Sequence, residues 1–238
     1  MIWAFIQPVI TVLLYWFVFE FGLHQKVNDL RTGIEVPFVL WLMGGLVPWF
    51  YFQEALNGGT GVLDEYSYLV KKVVFQIDAL PVVKLISALF THAFFVVFML
   101  VVFAVMGFYP DLYVLQVVYY SFCMVTFTAG LIYATSAVTV FFRDMKEVVA
   151  ILLQIGMWVT PIMWNFESMQ GIPKWAVVLL KLNPMYYIVS GYRDALINKT
   201  AFWEHPGLTL WFWGITLFTL WAGTTVFKRL RVHFADVL

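Results

Sequence analysis

The feature that most constrains this chain is a series of long apolar stretches separated by short polar segments. A helix that crosses a lipid bilayer needs about 20 predominantly apolar residues. Hydrophobic residues make up 63% of the 238 residues and charged residues only 12%, too few to cover the surface of a soluble domain. The sequence therefore predicts one all-α membrane domain over residues 1–238 with six transmembrane helices. The predicted spans are residues 1–22, 37–56, 85–109, 112–142, 148–164 and 209–227.

The second predicted span contains residues that often break helices. Gly44, Gly45 and Pro48 are expected to interrupt it. Membrane helices tolerate such breaks where neighbouring groups satisfy the freed backbone.

The segment 165–206 is too apolar for a solvated loop, yet Pro173, Lys181 and Arg193 interrupt it too often for a span. Short loops rich in basic residues favour the cytoplasmic side. With six spans and a cytoplasmic N-terminus, short loops place eight basic residues inside and two outside, whereas a seventh span would move the basic C-terminus outside. We therefore expect both termini in the cytoplasm and two short re-entrant helices in the outer leaflet, bordering a pathway.

Two charged segments lie on the predicted cytoplasmic side. In residues 63–84, charged residues alternate with apolar ones that fit one helix face, which predicts an amphipathic coupling helix over 66–75 that Pro81 closes. Residues 143–147 (RDMKE) form a compact charged hinge. Taken singly, each segment is equally well explained as a surface helix or loop without a partner. Together they favour a docking surface for a cytosolic protein.

The sequence contains no motif for chemistry of its own. It has neither the G-x-x-x-x-G-K-[ST] motif that binds ATP phosphates nor the H-E-x-x-H metal motif. Cys123, the single cysteine, is expected to be a small buried residue. His92 lies inside a predicted span, and we favour a structural role for it over a proton relay. We therefore predict no catalytic residue, metal site or cofactor in this chain, and energy for uphill transport from another subunit.

Aromatic residues make up 20% of the chain. Trp and Tyr gather at membrane interfaces, which is the simpler explanation for any one of them. The alternative is a channel wall of aromatic faces for sugar rings. Tyr15 and Phe19 share one helix face, as do Trp49 and Phe52. These four residues and Trp158 are the five candidate channel aromatics.

Five short motifs resemble those of the permease subunits of ABC exporters for polysaccharides, which include O-antigen, capsule and teichoic-acid transporters. They occur in the family's order and cover nearly the whole chain. The motifs are residues 3–8 (WAFIQP), 45–52 (GLVPWFYF), 69–75 (LVKKVVF) with Leu80-Pro81, 142–147 (FRDMKE) followed by Pro161, and 183–185 (NPM) with 192–194 (YRD).

The resemblance implies a homodimer of six-span subunits in the bacterial cytoplasmic membrane. Two cytosolic ATP-binding-cassette subunits would bind the ATP and Mg²⁺. A lipid-linked polysaccharide or polyol-phosphate polymer would pass through a channel at the dimer interface. Family members usually carry an interfacial helix before the first span, at the inner face of the membrane. Residue 1 already lies in the first predicted span here, so we assign no inner-gate role to such a helix in this sequence.

The resemblance also implies roles for particular residues. Contact with the ATPase subunit is expected from Glu65, Tyr66, Lys71, Lys72, Arg143, Asp144 and Glu147. An outer gate is expected from Asn183, Pro184, Tyr186, Tyr187 and Arg193.

Three alternatives stay open at this stage. A permease of the same broad class could export a drug or simple lipid, and a narrow channel would favour it. A membrane-embedded glycan-modifying enzyme would be favoured by carboxylates or histidines clustered at one membrane face, and the sequence suggests no such cluster. The third alternative is a passive channel, and stimulation of a co-purified ATPase by the substrate would argue against it.

Overall fold

The computed structural model describes residues 3–22, 27–28, 35–70, 76–164 and 171–234, and these are predominantly helical. A π-helical turn, Phe17–Gly22, follows α1, and two short strands, β1 (Val27–Asn28) and β2 (Glu35–Val36), pair antiparallel with Val27 opposite Val36. The α-helices are α1 (Trp3–Trp16), α2 (Phe38–Thr60), α3 (Val62–Glu65), α4 (Ser67–Val70), α5 (Ala79–Val105), α6 (Leu115–Phe141), α7 (Met145–Val159), α8 (Lys174–Leu182), α9 (Pro184–Arg193) and α10 (Pro206–Arg231).

Three helical segments in the described part of the chain are long and apolar enough to cross a membrane. They are Ala79–Val105, Leu112–Phe141 and Pro206–Arg231, and a helix of 27 residues is about 40 Å long. They correspond to the third, fourth and sixth predicted spans. Ile6–Gly22 forms a shorter apolar helix at the first predicted span. The full set of six spans remains a prediction.

The second predicted span forms the central helix of the molecule. α2 runs unbroken over 23 residues, most of them buried, and contacts α1, α5, α6, α7 and α9. The predicted interruption at Gly44, Gly45 and Pro48 is therefore wrong. The two glycines instead allow Arg193 to pack closely against α2.

The helix boundaries differ from the prediction around the coupling segment. Of the predicted coupling helix over 66–75, the structure describes a turn at Tyr66 and then α4, Ser67–Val70; residues 71–75 lie outside the described residues, so the full helix remains a prediction. Pro81 lies in the first turn of α5, where its missing N–H has no intrahelical partner to lose; the prediction that Pro81 closes the segment is wrong. Lys71 and Lys72 lie outside the described residues.

The predicted re-entrant segment contains two short helices. α8 has nine residues and α9 has ten, which gives each a length of about 15 Å, too short to cross a bilayer. α7 has 15 residues; it starts three residues before the predicted fifth span and ends five residues before that span's end. The backbone from Thr160 to Trp164 is not helical.

α6 and α10 pack backbone to backbone. A Cβ atom built on Gly223 would lie 2.0 Å from the carbonyl oxygen of Gly130, and one built on Gly130 would lie 2.7 Å from the amide nitrogen of Leu220. Only glycine at these two positions permits so close a crossing, as is common between membrane helices.

One end of the helix bundle carries most of the described charged residues. Here α3, the start of α5 and the ends of α6 and α10 enclose a small apolar core that includes Leu63, Leu80 and Phe227. We call it the charged end. The other end, where α2, α6 and α10 begin, is the opposite end.

Candidate functional site

A cavity of about 480 Å³, lined by both polar and apolar side chains, lies among α1, α2 and α5, and we call it the α1–α2–α5 cavity. Its volume is in the range of small-molecule sites, about 300–1,000 Å³. The residues that line it are Gln7, Pro8, Thr11 and Tyr15 of α1, Val47, Phe50, Tyr51, Gln53, Glu54 and Asn57 of α2, Thr91, His92 and Phe95 of α5, and Met157 of α7. The lining combines amide, hydroxyl and carboxyl groups with aromatic rings, so the cavity can hydrogen-bond and stack on a polar ligand.

Among the described residues, few hydrogen bonds fix the polar groups that α1 and the exposed face of α2 place on the wall of this cavity. Thr91 Oγ1 donates to Glu54 Oε1 over 3.5 Å, at the limit of hydrogen bonding. Thr11 Oγ1 donates to the Gln7 carbonyl of its own helix over 2.9 Å. Gln53, Glu54 and Asn57 are all exposed on one side of α2. These side chains therefore retain bonding capacity for a ligand.

His92 is buried at the deep side of the cavity in a cluster that joins three helices. Its Nε2 atom lies 2.9 Å from the Tyr192 hydroxyl of α9 and 3.3 Å from the Ser121 hydroxyl of α6. Those two hydroxyls lie 2.6 Å from each other. These contacts tie α5, α6 and α9 together and support the structural role that we favoured for His92.

Arg193, predicted to belong to the outer gate, is 7% exposed. Its Nη1 and Nη2 atoms donate to the carbonyls of Pro161 and Ile162 over 2.7 and 2.8 Å, and its Nε atom donates to the Trp41 carbonyl over 3.3 Å. The guanidinium lies 3.4 Å from the centre of the Trp41 ring. Carbonyls beyond a helix end need partners in an apolar environment. Arg193 supplies partners to the chain that follows α7.

The glycine pair of α2 makes room for this arrangement. A Cβ atom on Gly45 would lie 2.8 Å from Arg193 Nη2 and 3.1 Å from Ile162 Cγ2, and one on Gly44 would lie 3.2 Å from Arg193 Cγ. Two of the three residues at which the sequence predicts a break therefore make room for a buried guanidinium.

The other predicted gate residues are packed against the rest of the chain, with Tyr186 and Tyr187 buried and Asn183 and Pro184 half-buried. Asn183 accepts a hydrogen bond from the Met185 amide, which caps α9, and donates to Thr160 Oγ1 over 2.8 Å. Pro184 is the first residue of α9. Tyr187 stacks on Phe212 and its hydroxyl bonds those of Tyr119 and Thr209; Tyr186 is also buried. The structure brings these residues together near the opposite end, and their gating role remains a prediction.

The five candidate channel aromatics do not share one surface. Tyr15 lines the α1–α2–α5 cavity, whereas Trp49 and Phe52 line a second, apolar cavity of about 230 Å³ among α2, α6, α7 and α9. Phe19 stacks on Phe38, and Trp158 is exposed on α7. The expected face sharing is observed, with ring centres 6.5 Å apart for Tyr15 and Phe19 and 5.5 Å for Trp49 and Phe52.

The predicted ATPase contact residues that are described gather at the charged end. Glu65, Arg143, Asp144 and Glu147 are exposed there and Tyr66 is half-buried. Glu65 also pairs with Lys84 of α5 over 2.8 Å. These residues occupy one end of the bundle, as a docking surface requires.

Among the described residues, three ion pairs connect the segments at this end. Besides Glu65 and Lys84, Asp64 pairs with Lys146 of α7, and Asp78, just before α5, pairs with Arg231 of α10. The pKa of the Asp64 carboxyl lies below its ordinary value, mainly because the Lys146 ammonium donates a hydrogen bond to it. α3 is thereby linked to both α5 and α7.

Sequence reasoning missed the polar lining of the α1–α2–α5 cavity. None of Gln7, Thr11, Glu54 and Asn57 is among the site residues that the sequence predicts. A signal was present in α1, where Gln7, Thr11 and Tyr15 recur every four residues and so form one polar stripe on an apolar helix.

Comparison with known proteins identifies similar chains over nearly the whole length. A profile of the ABC-2 type transporter family matches residues 1–197. The chain is 26% identical to the O-antigen export system permease protein RfbA of Myxococcus xanthus, over 99% of this chain and 86% of that protein. It is 24% identical to RfbA of Klebsiella pneumoniae (100% and 86%) and 25% identical to the polysialic acid transport protein KpsM of Escherichia coli (95% and 84%).

Proposed function

The chain belongs to the ABC-2 type transporter family and is an integral membrane protein, and from that premise we propose that it is the permease subunit of an ATP-driven polysaccharide exporter. The observation that carries this proposal is the similarity, over at least 95% of the chain, to permeases and transport proteins named for O-antigen and polysialic acid. We further propose six spans, a homodimer with the channel at its interface, and a lipid-linked polymer as substrate.

The proposed orientation places the charged end in the cytoplasm. Lys84, Arg143, Lys146, Lys228, Arg229 and Arg231 all belong to segments at this end. An excess of basic residues beside spanning helices is retained on the cytoplasmic side. The bacterial cytoplasmic membrane, with both termini inside, is the location that fits this distribution.

The contacts of α3 support a coupling role for the charged end. Val62 and Leu63 are fully buried in the small apolar core, while Asp64 and Glu65 form ion pairs with α7 and α5. A partner that displaces α3 therefore displaces these helices as well, because packed interfaces transmit movement rather than absorb it. ATP binding shifts the permease only if its partner contacts differ between states.

A surface-export assay tests the proposal. The chain would be expressed with the ATP-binding-cassette subunit proposed as its partner, in a bacterium that assembles the polymer but lacks its own exporter. We expect polymer at the cell surface, detected by antibody, only when both subunits are present. A partner variant that lacks its phosphate-binding lysine serves as the control and should abolish export. Export without the partner, or none with both subunits present in the membrane, would contradict the proposal.

A further inference from the structure

We propose that the α1–α2–α5 cavity binds an uncharged sugar unit of the exported polymer and disfavours phosphorylated units. This inference rests on the proposed function and deepens it, because it assigns a site and a charge preference for the substrate. It is carried by the polar stripe of α1, the polar face of α2 and the charges around the cavity.

The wall from α1 is a polar stripe on an otherwise apolar helix. Gln7, Thr11 and Tyr15 lie on one face and all line the cavity. On the remaining surface of the same helix, Leu13 and Leu14 are exposed and apolar, as contact with lipid or another helix requires. Amide and hydroxyl groups are costly to bury in hydrocarbon without hydrogen bonds, so the stripe indicates a water-filled or ligand-filled space.

The opposing wall, from α2, presents a carboxyl group to the same space. Gln53, Glu54 and Asn57 are exposed on one face of a helix that is otherwise mostly buried. Glu54 lies six residues from the last residue of α2, about 9 Å along the axis. Ionisable side chains at membrane depth face a bundle interior or a water-filled cavity rather than lipid, which places the Glu54 face toward the cavity.

The groups on the two walls match the chemistry of a sugar. A sugar ring offers hydroxyls that both donate and accept hydrogen bonds, and an apolar C–H face that packs against an aromatic ring. Gln7, Glu54 and Asn57 supply acceptors, and the two amides also supply donors. Phe50 and Phe95 supply aromatic surface. The cavity volume is sufficient for a small ligand of this kind.

The charges around the cavity should favour an uncharged sugar over a phosphorylated one. Of the described residues that line it, none is Lys or Arg, and Glu54 is acidic. Phosphate groups in proteins are recognised by Arg or Lys side chains or by a helix N-terminus. A phosphate on the sugar would meet no Lys or Arg among the described lining residues and would lie near a carboxyl group. Binding of a phosphorylated sugar should therefore be at least about tenfold weaker than binding of its neutral counterpart.

Cysteine protection tests the site. Thr11→Cys would be made in a Cys123→Ala chain, and the complex with its ATPase would be placed in lipid nanodiscs and treated with a water-soluble maleimide. The probes are a linear neutral hexasaccharide and the same hexasaccharide bearing a phosphate monoester. We expect the neutral probe to slow labelling, with the phosphorylated probe requiring at least about tenfold higher concentration. Tyr109→Cys, exposed outside the cavity, should label equally with and without either probe.

Two substitutions at Glu54 test the charge preference. Glu54→Gln keeps the shape and should weaken discrimination while retaining protection by the neutral probe. Glu54→Lys should reverse the preference. Equal protection by both probes in the unchanged cavity, no maleimide reaction at Thr11→Cys, or no protection by either probe would overturn the inference. If the wild-type complex exports polymer in the surface assay while these results occur, only the site is wrong; if it exports none, the proposed function fails.

Discussion

Replacing Gly223 with alanine should destabilise the pairing of α6 with α10. The new Cβ atom would lie 2.0 Å from the Gly130 carbonyl oxygen, whereas a normal carbon–oxygen contact is at least about 3.3 Å. The helices must therefore separate by roughly 1.3 Å at this point. The obstructing atom belongs to a helical backbone and cannot rotate away as a side-chain end would.

The size of the effect follows from the cost of overpacking. Inserting a methyl group into a well-packed interior typically costs about 1–3 kcal/mol. We expect the upper end because a backbone atom is the obstacle. At about 2–4 °C per kcal/mol for a chain of this size, a loss of about 3 kcal/mol lowers Tm by about 6–12 °C. The measurement is thermal unfolding of the purified protein in detergent, followed by tryptophan fluorescence.

Gly214 provides the matched control on the same helix. No atom lies within 4 Å of the position that its Cβ would take. Alanine is favoured over glycine in a helix interior by about 1 kcal/mol, so Gly214→Ala should leave Tm unchanged or raise it. Equal Tm values for Gly223→Ala and Gly214→Ala would refute the close crossing of α6 and α10.

Three further predictions concern charged groups. Arg193→Met should destabilise the fold by about 1–3 kcal/mol for each carbonyl after α7 that loses its donor. Arg193→Lys should restore only part of the lost stability, since an ammonium lacks the planar fork of a guanidinium. A Tm equal to that of the wild type in Arg193→Lys would contradict this. Because the pKa of Asp64 is lowered in the folded protein, its ion pair with Lys146 stabilises the fold above about pH 4. The stabilisation is under about 1 kcal/mol, since the pair is exposed, and it is lost as the pH falls through the folded pKa of Asp64. Between pH 6 and pH 3, the Tm of Asp64→Asn should therefore fall less than the Tm of the wild type. Identical pH profiles of Tm would count against a stabilising pair between Asp64 and Lys146. Charge reversal at both Lys71 and Lys72 should lower polymer export, measured at the cell surface, without reducing the amount of protein in the membrane fraction, and normal export would argue against coupling there.

The sequence predicted the class of the protein and several of its helices because hydrophobic length is a local property. Stretches near 85–109, 112–142 and 209–227 are apolar for long enough to require helices in lipid, and the structure has helices there. Helix ends were harder to predict. Pro81 suggested a stop in the sequence but lies inside the first turn of α5, because proline is tolerated at both positions.

The sites were predicted less completely than the helices. Motif resemblance indicated residues at the charged end and at α9, and the structure brings together the described members of each set. The α1–α2–α5 cavity was not predicted, because its two main walls come from separate helices whose facing surfaces are fixed only by packing. The polar stripe of α1 was visible in the sequence, but no local pattern showed that the Glu54 face of α2 lies opposite it.

The sequence by itself determined that this chain is helical and belongs in a membrane, since the cost of exposing polar backbone to lipid leaves no other choice for such apolar stretches. Only the tertiary structure decided what the charged residues and glycines within these apolar stretches do. Arg193 bonds the carbonyl of Trp41, 152 positions away, and Gly44 and Gly45 are small so that it can fit there. A buried charge finds its partners through the packing of distant segments, and no local pattern records which segments will meet.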